Sequence, residues 1–264
     1  MVEWKNIFSL MQIELNYKEF GQGEPVIILH GMFGTLDNWQ TIAKQLSENY
    51  LVYIIDQRDH GRSPHTENID YQILAEDLKY FMEQNWIYKA RIIGHSMGGK
   101  TAMQFALNNP DMVEKLVVID IAPKVYKGGH EVIIDTLLSI DLAKLTDRKD
   151  AETQMMQRIP EFGTRQFLLK NLARNENTGA FEWKMNLQNI YANYEKILGN
   201  ISAGVFEGET LFIRGENSDY ILPKDELAIQ TFFPKSSVKT VENAGHWVHA
   251  EQPKALLEMI LEFL

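Results

Sequence analysis

The stretch Ile92-Ile93-Gly94-His95-Ser96-Met97-Gly98-Gly99 decides how the rest of the chain is read. Gly94, Ser96 and Gly98 form G-x-S-x-G, preceded by the strand-like run Ala90-Arg91-Ile92-Ile93 and followed by Lys100 to Leu107, which reads as helix. A strand that turns sharply into a helix lifts the residue at its tip clear of the sheet. Both glycines suit such a turn, because a Cβ at either place would collide with the neighbouring strand or helix. Three fixed positions recur by chance. The strand before and the helix after make Ser96 a candidate nucleophile rather than a solvated serine in a glycine-rich turn.

Outward from this stretch the rhythm repeats. Val26–Leu29 and Leu51–Ile55 are continuous apolar runs of the kind buried in a parallel sheet, and Gln12–Tyr17 alternates like an edge strand. Helices are expected from Trp39 to Leu46, capped by Asp37 or Asn38, and from Tyr71 to Phe81. Beyond the elbow come Lys115–Ile119, which ends in Asp120, then Thr210–Arg214 and Ser237–Val241. Strands alternating with helices predict an α/β fold with a mostly parallel central sheet flanked by helices. Over residues 123–199 the rhythm breaks, and the sequence reads as helix with no strand run. Too long for a crossover, this segment is expected to be a helical lid over the strand ends. It would be inserted after the sixth strand of a core made by residues 1–122 and 200–264. The first ten residues precede a second methionine, Met11, and read as dispensable.

At 264 residues, with 45% hydrophobic and 23% charged, the chain suits one globular domain with a sizeable core. A net charge of −10 repels polyanions and argues against a nucleic-acid partner. The absence of cysteine excludes disulfides, thiolate metal sites and a cysteine nucleophile. No signal-peptide pattern or membrane-length apolar run is present, so the expectation is a cytoplasmic monomer or small homo-oligomer without a membrane partner. The histidines lack H-E-x-x-H spacing, and Gly98-Gly99-Lys100 lacks the upstream glycine of a P-loop; neither metal nor cofactor is expected.

A serine that attacks an acyl carbon needs a base for its proton, an acid to orient that base, and donors for the oxyanion. His246, directly after Gly245, is the candidate base, with His249 its competitor. Asp120 and Asp219 compete as the acid, the second lying in the loop after Thr210–Arg214. An unpaired carboxylate ending a buried strand would be costly, which gives Asp120 a reason to have a partner. His30-Gly31-Met32-Phe33-Gly34, following a central strand, can bring backbone N–H groups close to a ligand. His60, His65 and His95 read as hydrogen-bonded scaffold.

His30-Gly31, the G-x-S-x-G elbow, the helical insertion and Gly245-His246 make the chain resemble an α/β-hydrolase over almost its full length. His60-Gly61-x-Ser63-Pro64, Gly94 to Lys100, Asp120-Ile121-Ala122-Pro123 and Gly245-His246-Trp247-Val248-His249 make it similar to the small YbfF-type bacterial carboxylesterases. The resemblance implies Ser96 as nucleophile, His246 as general base and the backbone amides of Met32 and Met97 as oxyanion hole. It favours Asp120 as the acid. Most of the superfamily carries that acid in a G-x-x-D pattern, whereas Gly215-Glu216-Asn217-Ser218 has a serine there and Asp219 comes one residue late. The implied activity is hydrolysis of short to medium acyl esters through an acyl-enzyme, the substrate being a small-molecule ester. Lid residues among Phe162, Phe167, Leu168, Trp183, Met185 and Tyr191 are expected to line the acyl pocket. A serine at the elbow argues against haloalkane dehalogenases and epoxide hydrolases, which attack with aspartate. Carbon–carbon hydrolases and cofactor-free peroxidases share the same set, and some receptors for small molecules keep it with slow or no turnover.

Overall fold

The computed structural model describes residues 12–264, so the reading of the first ten residues as dispensable lies outside the described residues. Among the described residues one seven-stranded sheet carries the fold. Its spatial order is β1 (Tyr17–Phe20), β3 (Leu51–Ile55), β2 (Pro25–Leu29), β4 (Ala90–His95), β5 (Val113–Ile119), β8 (Thr210–Gly215) and β9 (Ser236–Val241). All neighbours run parallel except β1, which is antiparallel to β3. The expected mostly parallel sheet flanked by helices is what the chain forms.

The central strands lack two-residue alternation because both faces are covered. Val26 and Ile28 pack with Trp39, Leu46 and Ile260 on one face, while Ile27 and Leu29 pack with Phe81, Met103 and Phe105 on the other. Each such side chain contributes roughly 1.5–3 kcal/mol by leaving water.

The edge strand starts later than the alternation of Gln12–Tyr17 suggests. At Asn16 only half of the ladder continues: its carbonyl accepts from Asp56 N–H at 2.9 Å, while its N–H donates instead to Ser63 Oγ at 2.8 Å. The helix expected from Trp39 begins as a 3₁₀ turn over Leu36–Trp39 before Gln40–Leu46. Its N-cap is Thr35. Asn38 instead accepts from the Thr35 N–H at 2.7 Å, and Asp37 pairs with Lys18 at 2.7 Å.

Segment 123–199 leaves the sheet after β5, the fifth strand in chain order rather than the sixth. It holds helices Glu131–Ser139, Arg148–Met156, Phe162–Leu169, Leu187–Ala192 and Tyr194–Leu198. The all-helix reading fails at an antiparallel hairpin, β6 (Leu172–Arg174) with β7 (Phe181–Trp183). Strands of three residues show no period, and the hairpin is instead set by its turn, where Asn175 Oδ1 accepts from Asn177 N–H (3.0 Å) and Thr178 N–H (3.1 Å). Leu137, Leu168 and Ile190 of the segment share one apolar cluster with Met32, Phe33 and Met97 of the loops beneath. No helix among the described residues is long and apolar enough to cross a membrane.

Candidate active site

Ser96 sits between β4 and the helix Met97–Asn108 with φ 53° and ψ −120°, a conformation that an L-residue adopts only under constraint. The constraint is local. Ser96 N–H donates to the Ile119 carbonyl at 2.9 Å, and a Cβ on Gly94 would lie 2.2 Å from the Gly98 carbonyl oxygen. On Gly98 it would lie 2.5 Å from the carbonyl oxygens of Leu29 and His30. Only glycine fits at either place.

The loop after β9 brings His246 to this serine, with Nε2 3.0 Å from Ser96 Oγ and Nδ1 2.7 Å from Asp120 Oδ2. Asp120 is fully buried, and its other oxygen accepts from Gly215 N–H at 3.0 Å. Oδ2 also accepts from the Ser218 hydroxyl. Asp219, by contrast, is exposed. Of the two competing aspartates, the structure brings Asp120 to the histidine and leaves Asp219 in solvent. His249 is buried instead against Trp39, ring centroids 4.7 Å apart and nearly parallel at 20°. Burial lowers its pKa well below the ordinary histidine range. His95 is likewise held neutral by burial, at about 3, and its Nε2–H donates to the His246 carbonyl at 2.8 Å, fixing the loop that carries the candidate base.

The His30–Gly34 loop turns through Gly34 N–H to the Gly31 carbonyl at 3.0 Å, and Phe33 takes φ 61°. Two neutral histidines hold it. His30 Nε2 accepts from Gln57 N–H at 3.0 Å, and His60 Nε2 accepts from Phe33 N–H at 3.3 Å. Burial lowers both, His30 to about 3, which keeps these nitrogens free to accept. From segment 123–199, Asn171 donates to the Phe33 carbonyl at 2.6 Å, a contact with no sequence signal. Met32 and Met97 line the same cavity as Ser96. Met97 is the first residue of its helix, so its N–H has no partner within that helix.

That cavity has a volume of about 30 Å³, and its apolar wall includes Ile121, Tyr126, Ile197 and Leu198. Of the six apolar residues among which its lining was expected, none lines it among the described residues. Phe162 and Tyr191 are exposed, Phe167 packs on Trp247 at 5.8 Å, and Leu168, Met185 and Trp183 join the core of the segment. Helical periodicity marks an apolar face but not what that face covers. The two ends of the segment, near Tyr126 and Leu198, are the parts that reach Ser96.

Those ends meet at Lys100, which is 1% exposed. Its ammonium donates to the carbonyls of Lys124 (2.8 Å), Leu198 (3.2 Å) and Gly199, and lies 4.7 Å over the Tyr126 ring and 5.3 Å over that of Tyr71. Burial, with the Lys124 charge nearby, brings its pKa down to about 7. Between that value and the ordinary 10.5, the unfolded chain holds a proton that the native chain has released, so this group makes stability rise with pH. Lys100→Met removes the effect. Urea titrations over roughly pH 6 to 9 should show the wild type gaining on the variant by on the order of 1 kcal/mol per pH unit above about 7. A difference that stays flat with pH would contradict the buried, weakened base.

Among the described residues no cluster of three or more His, Cys, Asp or Glu side chains is placed to hold a metal ion. A mostly parallel sheet covered on both faces, with a serine-bearing elbow at its midpoint, defines the α/β-hydrolase class. The chain belongs to the alpha/beta hydrolase fold family, which it matches over residues 24–253. Among curated relatives, it is 37% identical to the sn-1-specific diacylglycerol lipase ABHD11 of Danio rerio, covering 96% of this chain and 83% of that protein. It is 35% identical to esterase YbfF of Escherichia coli (strain K12), covering 91% of this chain and 92% of the other. A solved structure described as a marine microorganism esterase superimposes with a TM-score of 0.94 at 44% identity, covering 96% of this chain and all of that one. Relatives of this chain are thus named esterases and lipases.

Proposed function

We propose that the chain is a serine carboxylesterase that hydrolyses short acyl esters, with segment 123–199 as its lid. The observation that carries this reading is the continuous line of contacts from Ser96 Oγ through His246 to buried Asp120, beside a small apolar cavity. With the proton of His246 on Nδ1 and donated to Asp120, Nε2 is free to accept the serine proton as Oγ attacks the carbonyl carbon. The amides of Met32 and Met97 receive the oxyanion. Collapse expels the alcohol, protonated by His246, and a water activated by the same nitrogen then releases the acid from Ser96. Asp120 orients the ring throughout and stabilises the imidazolium. The names of the relatives support an ester substrate.

Cavity volume selects among esters. The cavity beside Ser96 is small, about 30 Å³, and opens to solvent, so an acetyl group enters it with less rearrangement than a longer chain, which must push the ends of the segment aside. Nitrophenyl acetate, butyrate and octanoate assayed in parallel should give kcat/KM values falling by roughly tenfold or more from the first to the last. A preference for octanoate would overturn the short-chain assignment. Tight ligand binding without turnover of any ester would favour a receptor.

A further inference from the structure

The loop after β8 touches the candidate base directly. Two residues beyond Ser218, Tyr220 lays its ring on His246 with centroids 3.7 Å apart and planes 17° apart. Other rings beside His246 are farther and more tilted: His95 at 4.9 Å and 40°, Trp247 at 6.2 Å and 59°. Tyr220 is itself held from both ends. Its carbonyl accepts from the Tyr126 hydroxyl at 2.8 Å, and its own hydroxyl lies 3.2 Å from Nε2 of His130 in segment 123–199. The opposite nitrogen of His130 lies 3.0 Å from the Tyr194 hydroxyl. A chain of contacts therefore runs from the segment to the face of the imidazole.

We propose that Tyr220 is a positioning residue: its ring keeps His246 in register between Ser96 and Asp120, and its hydroxyl, through His130, ties that register to segment 123–199. The physical need arises during turnover. An imidazole turns about a soft Cβ–Cγ torsion, and a hydrogen bond at each nitrogen sets its plane only while both partners are present. Once Ser96 Oγ carries an acyl group it no longer offers a proton to Nε2, and one of the two bonds is gone. A flat ring against the imidazole face still fixes the plane, so that Nε2 meets the incoming water. The same face attracts the imidazolium that forms in both half-reactions. This inference rests on the serine-esterase reading.

Kinetics of wild type, Tyr220→Phe, Tyr220→Leu and His130→Phe on nitrophenyl acetate, each with a melting curve, test it. Phenylalanine keeps the face, so kcat should stay within about threefold of wild type, whereas leucine keeps bulk without the face and should lower kcat roughly ten- to thirtyfold with little change in KM. Equal kcat for the Phe and Leu variants would reduce Tyr220 to filler and overturn the proposal. If the Leu protein does not fold, the pair Tyr220→Phe and His130→Phe decides. Both remove the contact between Tyr220 and His130, and His130→Phe also removes the one to Tyr194, so the double variant should be no slower than His130→Phe alone, and multiplying effects would overturn the tie to the segment. Activity persisting in Ser96→Ala would defeat the esterase reading itself, which separates that failure from this one.

Discussion

Ser96→Ala is expected to lower kcat/KM for an activated acetate ester by at least about 10⁴-fold while leaving the melting temperature within a few degrees of wild type. The two halves of this expectation have separate physical sources. Loss of activity follows from removing the one oxygen that His246 Nε2 faces at 3.0 Å, since neither His246 nor the Met32 and Met97 amides can form an ester bond. Retention of the fold follows from what holds the elbow. Its φ of 53° is imposed by Gly94, Gly98 and the Ser96 N–H bond to Ile119, all of which alanine leaves in place. Alanine at that φ is no more strained than serine. Ser96 Oγ is also a small part of the core, the residue being 8% exposed, so its loss opens no large void. Steady-state kinetics and a melting curve on the same preparation check both halves. Activity near the wild-type rate in carefully purified variant would remove Ser96 from the mechanism; an unfolded variant would show that the elbow needs the hydroxyl for structure.

Much of the fold was legible because burial leaves a mark on sequence. Strands covered on both faces read as apolar runs, unbroken in β2, β3 and the second half of β5, while β4 shows only Ile92-Ile93. Ser96 stood out by its elbow pattern and His246 by the glycine before it, behind a strand that is only partly buried, whereas Asp120, at the end of a buried run, still competed with Asp219 until the family resemblance favoured it. The residues that stayed hidden act through side chains far apart in sequence. Tyr220 reaches His130 across 90 positions and Asn171 reaches Phe33 across 138, and no period or short motif encodes either. Lys100 escaped for a different reason. A lysine after two glycines reads as a solvated helix residue, and only the convergence of Lys124, Leu198 and Gly199 on one buried ammonium reveals otherwise. Segment 123–199 lies between these cases. Its helices have a period, its hairpin does not, and nothing in the period says which residues face Ser96.

Asp120→Asn is expected to lower kcat by several orders of magnitude, while Asp219→Asn stays within about twofold of wild type in kcat and about 0.5 kcal/mol in stability. The carboxylate of Asp120 accepts from three groups: His246 Nδ1–H, the Ser218 hydroxyl and Gly215 N–H. Asparagine keeps one oxygen, which satisfies Gly215, and turns an NH₂ toward His246. Two donors then face each other unless the imidazole moves its proton to Nε2. In that tautomer Nε2 no longer accepts from Ser96, and the base is lost although the geometry survives. Ser218 can rotate its hydroxyl to accept from the new NH₂, so the loop keeps a partner and the fold should persist. At position 219 the same change meets only water, because that side chain is exposed. Measuring kcat and melting temperature for both variants in parallel separates a lost orienting acid from a lost structural bond. Should Asp219→Asn be inactive and Asp120→Asn merely less stable, the acid would have to be delivered by Asp219 through a movement of the loop after β8. The Tyr220 ring, carried on that same loop, would then have to leave His246.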